Sequence, residues 1–122
     1  FCQATLRPGI EIVTEALQLE AQLGDADLVI TGEGRIDSQS VQGKVPVGVA
    51  RLAQRAGIPV IGIAGSLTPD VGVVHAHGIN AVFSALYRIC TLEEALAAAA
   101  ENIRLTARNV AATVKLGQQL AL

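Results

Sequence analysis

Three short apolar runs most constrain the fold of this chain, because each is too short and too rich in β-branched residues to favour a helix. They occupy residues 28–30, 59–64 and 79–83, and segments with a helical pattern separate them. Such runs suit strands buried on both faces, and their alternation with helices is typical of βαβ units. The sequence therefore predicts an α/β fold, a three-layer α/β/α arrangement of Rossmann-like type with a mainly parallel sheet.

Two helical patterns flank the first half of this sheet. The first follows Pro8 and ends at Gly24, and its polar residues form one stripe on an otherwise apolar cylinder, so we expect it to be mostly covered. The second contains Pro46, which a helix tolerates in its first turn, and ends at Gly57.

Two further helical patterns follow in the second half. Residues 68–70 read Thr-Pro-Asp, a compact helix start, and Gly78 closes that short helix. Residues 91–94 have capping-box spacing, and apolar residues then recur at alternating fours and threes as far as Val114. We expect one long amphipathic helix there, with its charged outer face solvated.

Length and composition limit the number of domains that the chain can form. With 122 residues, 51% of them apolar and 16% charged, one compact α/β domain over residues 1–122 is expected. Three strands make a thin sheet for such a fold, and the sequence contains no Met. We therefore expect an incomplete domain, part of a longer protein, whose remaining strands come from missing sequence or from a neighbouring chain.

The same composition argues against several classes of partner. The net charge is −2, with no Trp and two Phe, so the basic stripe and stacking rings of nucleic-acid binders are missing. Pro or Gly interrupts the longest apolar stretches, around residues 45–50 and 58–67, which fall far short of the roughly 20 residues of a membrane span. Cys2 and Cys90 lack metal-ligand spacing and predict reduced thiols in the cytoplasm, with a disulfide between them as the alternative.

The Gly-rich segment at residues 31–44 is the first candidate site. It follows the first predicted strand and leads into a helix, which is where ligands bind in parallel α/β sheets. Gly32, Gly34 and Gly43 would let backbone N–H groups approach a ligand closely, and the following helix would offer its positive end to an anion. We expect this segment to form a loop.

Charged residues within that segment sharpen the prediction. Arg35 and Lys44 could neutralise phosphate or carboxylate oxygens, and Glu33 and Asp37 supply carboxylates beside them. A kinase needs such a mixture: cations to offset charge on the transferred group, a carboxylate for Mg²⁺, and a group that orients or deprotonates the attacking hydroxyl. The alternative is a tight turn with solvated charges.

Standard phosphate-binding motifs do not match this segment. A Walker A loop would require Gly at the position of Ser38 and Ser or Thr at Val45, and the dinucleotide fingerprint would require Gly at Asp37. A second candidate site is Gly65-Ser66, interpreted as the turn after the second strand, with an ordinary connection as its alternative. His75 and His77 lie two apart, which disfavours a shared metal on one helix face.

A longer pattern carries a resemblance to a known family. Residues 27–40 read DLVITGEGRIDSQS, Gly43-Lys44 follow, and residues 59–66 read PVIGIAGS. This combination resembles the bacterial glycerate kinase family, and the likeness covers most of the chain. It implies a longer enzyme of two α/β domains that transfers the γ-phosphoryl group of ATP to a hydroxyl of D-glycerate, with the active site in the cleft between the domains.

The resemblance also implies roles for individual residues. Asp37 would orient or deprotonate the glycerate hydroxyl, or hold Mg²⁺, and Arg35 and Lys44 would bind the glycerate carboxylate or the phosphates of ATP. The remaining substrate or phosphate contacts would come from Gly32, Glu33, Gly34, Ser38, Gln39, Gly43, Gly65 and Ser66.

Two expectations about partners and two competing functions accompany this assignment. The family's N-terminal phosphate-handling stretch, SFKGSL, has no counterpart here. We therefore expect the chain to be a C-terminal fragment that is inactive alone and needs the missing N-terminal part of the same enzyme. The alternatives are a non-catalytic module that binds an anionic metabolite, and a structural half-domain that completes a sheet or a homodimer.

Overall fold

A computed structural model describes residues 5–120 and confirms the α/β class. Strands β1 (Val29–Ile36), β2 (Val60–Leu67) and β3 (Ala81–Ser84) form a parallel sheet in that order. The register pairs Val29 with Val60, and Ile61 with Ala81. Because all three strands run the same way, their carboxyl ends lie at one edge of the sheet.

The core lies between one sheet face and helix α3 (Val45–Arg55). Pro46 is in the first turn of this helix, as predicted, and Gly57, just beyond its end, has a φ of 73° that favours glycine. Its inner face and the adjacent strand residues are buried, and the fully buried ones are Ile36, Val47, Ala50, Ala53, Val60, Ala64, Val74 and Ile79. This face is therefore closed by packing within the chain.

Strand β1 is longer than predicted, and the expectation of a loop from residue 31 is wrong for its first half. Residues 31–36 continue the strand and pair with β2 as far as Ile36 against Leu67. The glycines permit this pairing, because a Cβ on Gly32 would lie 2.9 Å from the Ile63 carbonyl oxygen. Gly-rich composition here serves close approach of two strands rather than a loop.

The third strand begins two residues later than predicted. The Ile79 N–H donates to the Val74 carbonyl at 3.3 Å, so Ile79 closes the preceding turn. Asn80 then exchanges two hydrogen bonds with Val60: its N–H donates to the Val60 carbonyl, and its Oδ1 accepts the Val60 N–H, both at 2.8 Å. The side chain of Asn80 thus replaces a backbone partner at the start of the sheet.

The first predicted helix is divided. Helix α1 (Gly9–Ala16) ends before Gln18, whose φ of 52° is left-handed, and α2 (Leu19–Gln22) follows. The Gln22 side-chain amide donates to the Leu17 carbonyl at 2.7 Å, which supplies a partner that this carbonyl loses at the helix end. Thr14 is the one buried residue of α1, so the expectation of a mostly covered helix is wrong there.

The third predicted helix is a 3₁₀ turn instead. It spans Val71–His77, and Gly78 ends it with a φ of 96°, as predicted. The Thr68 hydroxyl donates to the Asp70 carboxylate, so the side chain of Asp70 is engaged by a neighbour and does not cap a helix. Such local hydrogen bonds, which compete with helix formation, are typical of Thr and Asp.

The last helical pattern forms two helices. Thr91 caps α4 (Leu92–Ala97) by accepting the Glu94 N–H at 3.2 Å, as the capping-box spacing predicts. Helix α5 (Ala99–Leu120) begins after Ala98, whose ψ of 11° interrupts the helical path. On the solvated face Arg104 pairs with Glu101. The apolar face of α4 and α5 is more exposed than the face of a helix that packs in a core.

Two further expectations concern membrane spans and the two cysteines. Among residues 5–120, no helix has the length and apolar character needed to cross a bilayer. Cys90 is a free, partly buried thiol, whereas Cys2 lies outside the described residues.

Candidate functional site

Asp37, directly after β1, is a nearly buried acidic residue at the carboxyl edge of the sheet. It caps the 3₁₀ turn Ser38–Gln42: its Oδ1 accepts the Gln39 N–H at 2.9 Å, and its own N–H donates to the Ser40 Oγ at 3.1 Å. Asp37 is 9% exposed and Ser40 is fully buried. This reciprocal capping holds the carboxylate in one orientation without help from any ligand.

Two cationic side chains flank this carboxylate. The Arg35 Nε lies 3.3 Å from the Asp37 Oδ2, and the Lys44 Nζ lies 3.9 Å from the Asp37 Oδ1. The Arg35 and Lys44 side chains are 63% and 41% exposed, so their ion pairs contribute only about 0–1 kcal/mol each. Both cations therefore remain accessible to an incoming anion.

The amino end of helix α3 adds to the positive potential of the site. Gly43, with a φ of 99°, turns the chain so that Lys44 becomes the N-cap residue, and the Gly48 N–H donates to the Lys44 carbonyl at 3.1 Å. The first N–H groups of a helix lack intrahelical partners and carry partial positive charge. Arg51 donates to the Val41 carbonyl at 3.1 Å and so ties α3 to the turn.

Arg35 and Lys44 line a cleft of about 650 Å³, and the Asp37 carboxylate lies behind them, outside the lining. Several predicted site residues therefore meet although they come from a strand, a turn and a helix start. Those that line the cleft are Glu33, Gly34, Arg35, Gly43 and Lys44, together with Gly9, Ile10, Val13 and Val45.

The other predicted residues lie elsewhere around this edge. Gly65 and Ser66 belong to β2, so the turn predicted there is wrong, and a Cβ on Gly65 would lie 2.7 Å from the Gly34 carbonyl oxygen. Gly32, Gly65 and Ser66 line a separate groove. Ser38 and Gln39 lie in the turn that Asp37 caps.

Asp70 is a residue of this edge that sequence reasoning missed as part of the site. Hydrogen bonds from the Thr68 hydroxyl and then from Ser38 hold the pKa of the Asp70 carboxyl below its ordinary value. Because Ser38 follows Asp37, Asp70 lies beside the turn that carries the candidate carboxylate. Nothing local in the sequence signals this contact, since the two loops meet only through the pairing of β1 with β2.

The side chains at this edge suit an anion that brings a metal ion with it better than a metal ion held by protein ligands alone. Within residues 5–120 no group of three or more His, Cys, Asp or Glu side chains could hold a metal ion. The His75 Nδ1 lies 2.9 Å from the Ile79 carbonyl, an ordinary turn contact. Mg²⁺ is often held by one or two carboxylates plus nucleotide phosphates, and Asp37 could supply one such oxygen.

Comparisons with known proteins identify the family of the chain. The model of the glycerate kinase family matches residues 1–115. A protein from Escherichia coli K12 named glycerate 2-kinase is 61% identical over 99% of this chain and 32% of its own length. A glycerate kinase from Bacillus subtilis 168 is 52% identical over 100% of the chain and 32% of its own length.

A solved structure is also similar. A crystal structure assigned as glycerate kinase 2 from Salmonella typhimurium LT2 superposes with a TM-score of 0.72 and is 66% identical, over 98% of this chain and 30% of that one. The chain thus spans about a third of the length of the curated relatives it matches.

Proposed function

The chain belongs to the glycerate kinase family, and we propose that it supplies one wall of the active site of an ATP-dependent glycerate kinase. The observation that carries the proposal is the position of Asp37 between Arg35 and Lys44 at the carboxyl edge of β1. A capped carboxylate between two accessible cations suits transfer of a phosphoryl group to a hydroxyl.

We assign the cations to the anionic groups of the substrates. Arg35 presents a planar fork that matches a carboxylate or phosphate, and Lys44 is a point charge beside the amino end of α3. In the proposed reaction the γ-phosphoryl group is transferred from ATP to the glycerate hydroxyl oxygen, and ADP is the leaving group. These two residues would offset the charge that the substrates bring into the cleft.

We assign Asp37 to the attacking hydroxyl. Its Oδ1 accepts the Gln39 N–H and its Oδ2 pairs with the exposed Arg35 at 3.3 Å, so an Oδ2 lone pair that Arg35 leaves unused would accept the hydroxyl proton. ATP and Mg²⁺ belong to the proposal. Mg²⁺, when bound with the nucleotide, would neutralise phosphate charge, and Asp37 is the residue of this chain that could contribute an oxygen to it.

The rest of the enzyme is part of the same proposal. The matched relatives are about three times as long as this chain, so the opposing wall of the cleft would come from the remaining polypeptide. The Escherichia coli relative is named for the 2-position of glycerate, and we propose 2-phosphoglycerate as the product. A cytoplasmic location and a homodimer remain predictions.

The test is phosphoryl transfer from Mg·ATP to D-glycerate by the full-length protein, with the product identified by ³¹P NMR. We expect ADP and 2-phosphoglycerate in equal amounts, and no turnover by the 122-residue chain alone. A folded full-length protein that binds phosphate or glycerate without turnover would instead support the non-catalytic binding module. A product phosphorylated at the 3-position would refute the assignment of position but retain the kinase.

A further inference from the structure

A second depression shares Glu33 and Gly34 with the cleft of Arg35 and Lys44 but extends from them along the sheet toward α4 and α5. It is a groove of about 640 Å³ between the outer sheet face and the helices α4 and α5. Its walls include Ile30 and Leu92, which are 53% and 76% exposed, and Leu96 and Ile103, which are 68% and 52% exposed. Large aliphatic side chains thus line an open surface.

The two faces of the sheet differ sharply. Along β2, Val60 packs in the core on the α3 side and is fully buried, whereas Ile63, on the other face in the alternation of the strand, is only partly buried and lines the groove. Parallel sheets are normally covered on both faces, because their crossover connections are helices. The groove is therefore a place where a covering layer is missing from this chain.

The spacing along the helices makes the wall continuous. Leu92 and Leu96 lie four residues apart on α4, Ala99 and Ile103 lie four apart on α5, and all four line the groove on either side of the break at Ala98. On the floor, Gly32 and Gly65 contribute only backbone to the groove, because the neighbouring strand occupies the space of a Cβ at each position. A row of aliphatic side chains opposite a glycine floor is complementary to the apolar face of another helix.

The chemistry of the lining argues against an anionic substrate in this groove. Among the described residues that line it, Glu33 is the one charged residue. Arg35 and Lys44, which could neutralise a phosphate or a carboxylate, line the other cleft. Burying an unneutralised anion in such surroundings is costly, so an uncharged, apolar occupant fits better.

We propose that the groove is the docking surface for an amphipathic helix from the rest of the same polypeptide, which covers the outer sheet face. The length of the relatives supports this occupant over others, because about two thirds of their sequence lies outside the region matched by this chain. The inference rests on the proposed function only in taking the chain as part of such a longer enzyme. It concerns assembly and not the chemistry at Asp37.

Cysteine accessibility in the full-length protein tests the proposal. Leu96→Cys and Ile103→Cys place thiols in the groove, and Arg108→Cys places a matched thiol on the exposed side of α5. Alkylation by iodoacetamide is followed for each peptide by mass spectrometry. We expect the two groove thiols to react about 10-fold or more slowly than the Arg108→Cys thiol, because only local opening exposes them.

Cys90 provides a measurement that requires no substitution. Its thiol also lines the groove, so its peptide in the wild-type protein should show the same slow alkylation until denaturant is added. Fast labelling of Cys90 and both groove variants would overturn the proposal. Protection that appears only with Mg·ATP or D-glycerate would assign the groove to a ligand, and protection only in a dimer at high concentration would assign it to a second copy; either result overturns it.

Kinase turnover measured on the same samples separates this inference from the proposed function. Slow labelling in a protein that does not phosphorylate glycerate would support the docking surface and refute the kinase. Fast labelling in an active enzyme would support the kinase and refute the docking surface.

Discussion

The Oδ2 of Asp37 lies 3.3 Å from the Nε of Arg35, although the two residues flank the end of β1 and have different environments. Arg35 is paired opposite Ser66 in the sheet and is largely exposed, whereas Asp37 has left the strand and caps the next turn. Where the strand ends, Arg35 and Asp37 thus form an ion pair beside the cleft that Arg35 lines. Substitutions at this pair and at the residues that support it should therefore have separable effects on chemistry, binding and stability.

Asp37→Asn in the full-length protein should separate chemistry from folding. Asn is as good a cap as Asp, so the free energy of unfolding should change little, while loss of the base should lower kcat about 10²–10⁴-fold. Ser40→Ala is the control, because it removes the other half of the capping box. It should cost about 1–3 kcal/mol of stability through an unpaired buried N–H, but lower kcat much less than Asp37→Asn because the Gln39 N–H still orients the carboxylate. Unchanged kcat in Asp37→Asn would refute its catalytic role.

Lys44→Ala and Arg35→Ala should weaken substrate binding. Hydrogen bonds to charged groups are worth about 1.5–3 kcal/mol, so we expect kcat/KM to fall about 10- to 100-fold for the substrate that each residue contacts. Separate titrations of ATP and D-glycerate assign each cation to one substrate. Arg104→Ala, which removes an exposed cation paired with Glu101 on α5, should leave both KM values unchanged. Equal effects from all three variants would indicate a general electrostatic effect only.

Gly65→Ala should destabilise the pairing of β1 with β2. The new Cβ would lie 2.7 Å from the Gly34 carbonyl oxygen, a backbone atom that cannot move without shifting the strand. We expect a loss of about 1–3 kcal/mol in the free energy of unfolding, measured by urea denaturation. Gly34→Ala is the control in the facing strand, because nothing lies within 4 Å of the position that its new Cβ would take. Comparable losses in both variants would contradict the steric explanation.

Asp70 should make stability depend on pH under acid conditions. Its pKa in the folded protein is lowered from 3.8 by hydrogen bonds from Thr68 and Ser38. A depressed pKa stabilises the fold above the unfolded value and loses that contribution as pH falls through the folded value. We therefore expect Asp70→Asn to reduce the urea midpoint at neutral pH, and the difference from the wild type to shrink as the pH falls from 3.8 through the lowered pKa of the folded state. Asp27→Asn, at an exposed carboxylate elsewhere, is the control.

Local patterns in the sequence were sufficient for the elements whose formation depends on neighbouring residues. Pro46 in a first turn, Gly78 after a turn and Thr91 as a cap were all predicted, because each acts through the backbone within a few residues. The breaks at Gln18 and Ala98 were not predicted. A helical pattern does not reveal where a side chain such as Gln22 will compete for a carbonyl.

Periodicity and residue type follow from local chemistry, and they were enough to predict the α/β class, the parallel sheet and the cluster of charges around Asp37. That the Gly-rich segment begins as a strand depends on its partner, because glycine permits both a loop and close strand pairing, and the facing residues of β2 select between them. The same holds for the position of Asp70 beside Ser38 and for the exposure of Leu96 in this chain. Contacts between distant segments set both outcomes, and no local pattern encodes such contacts.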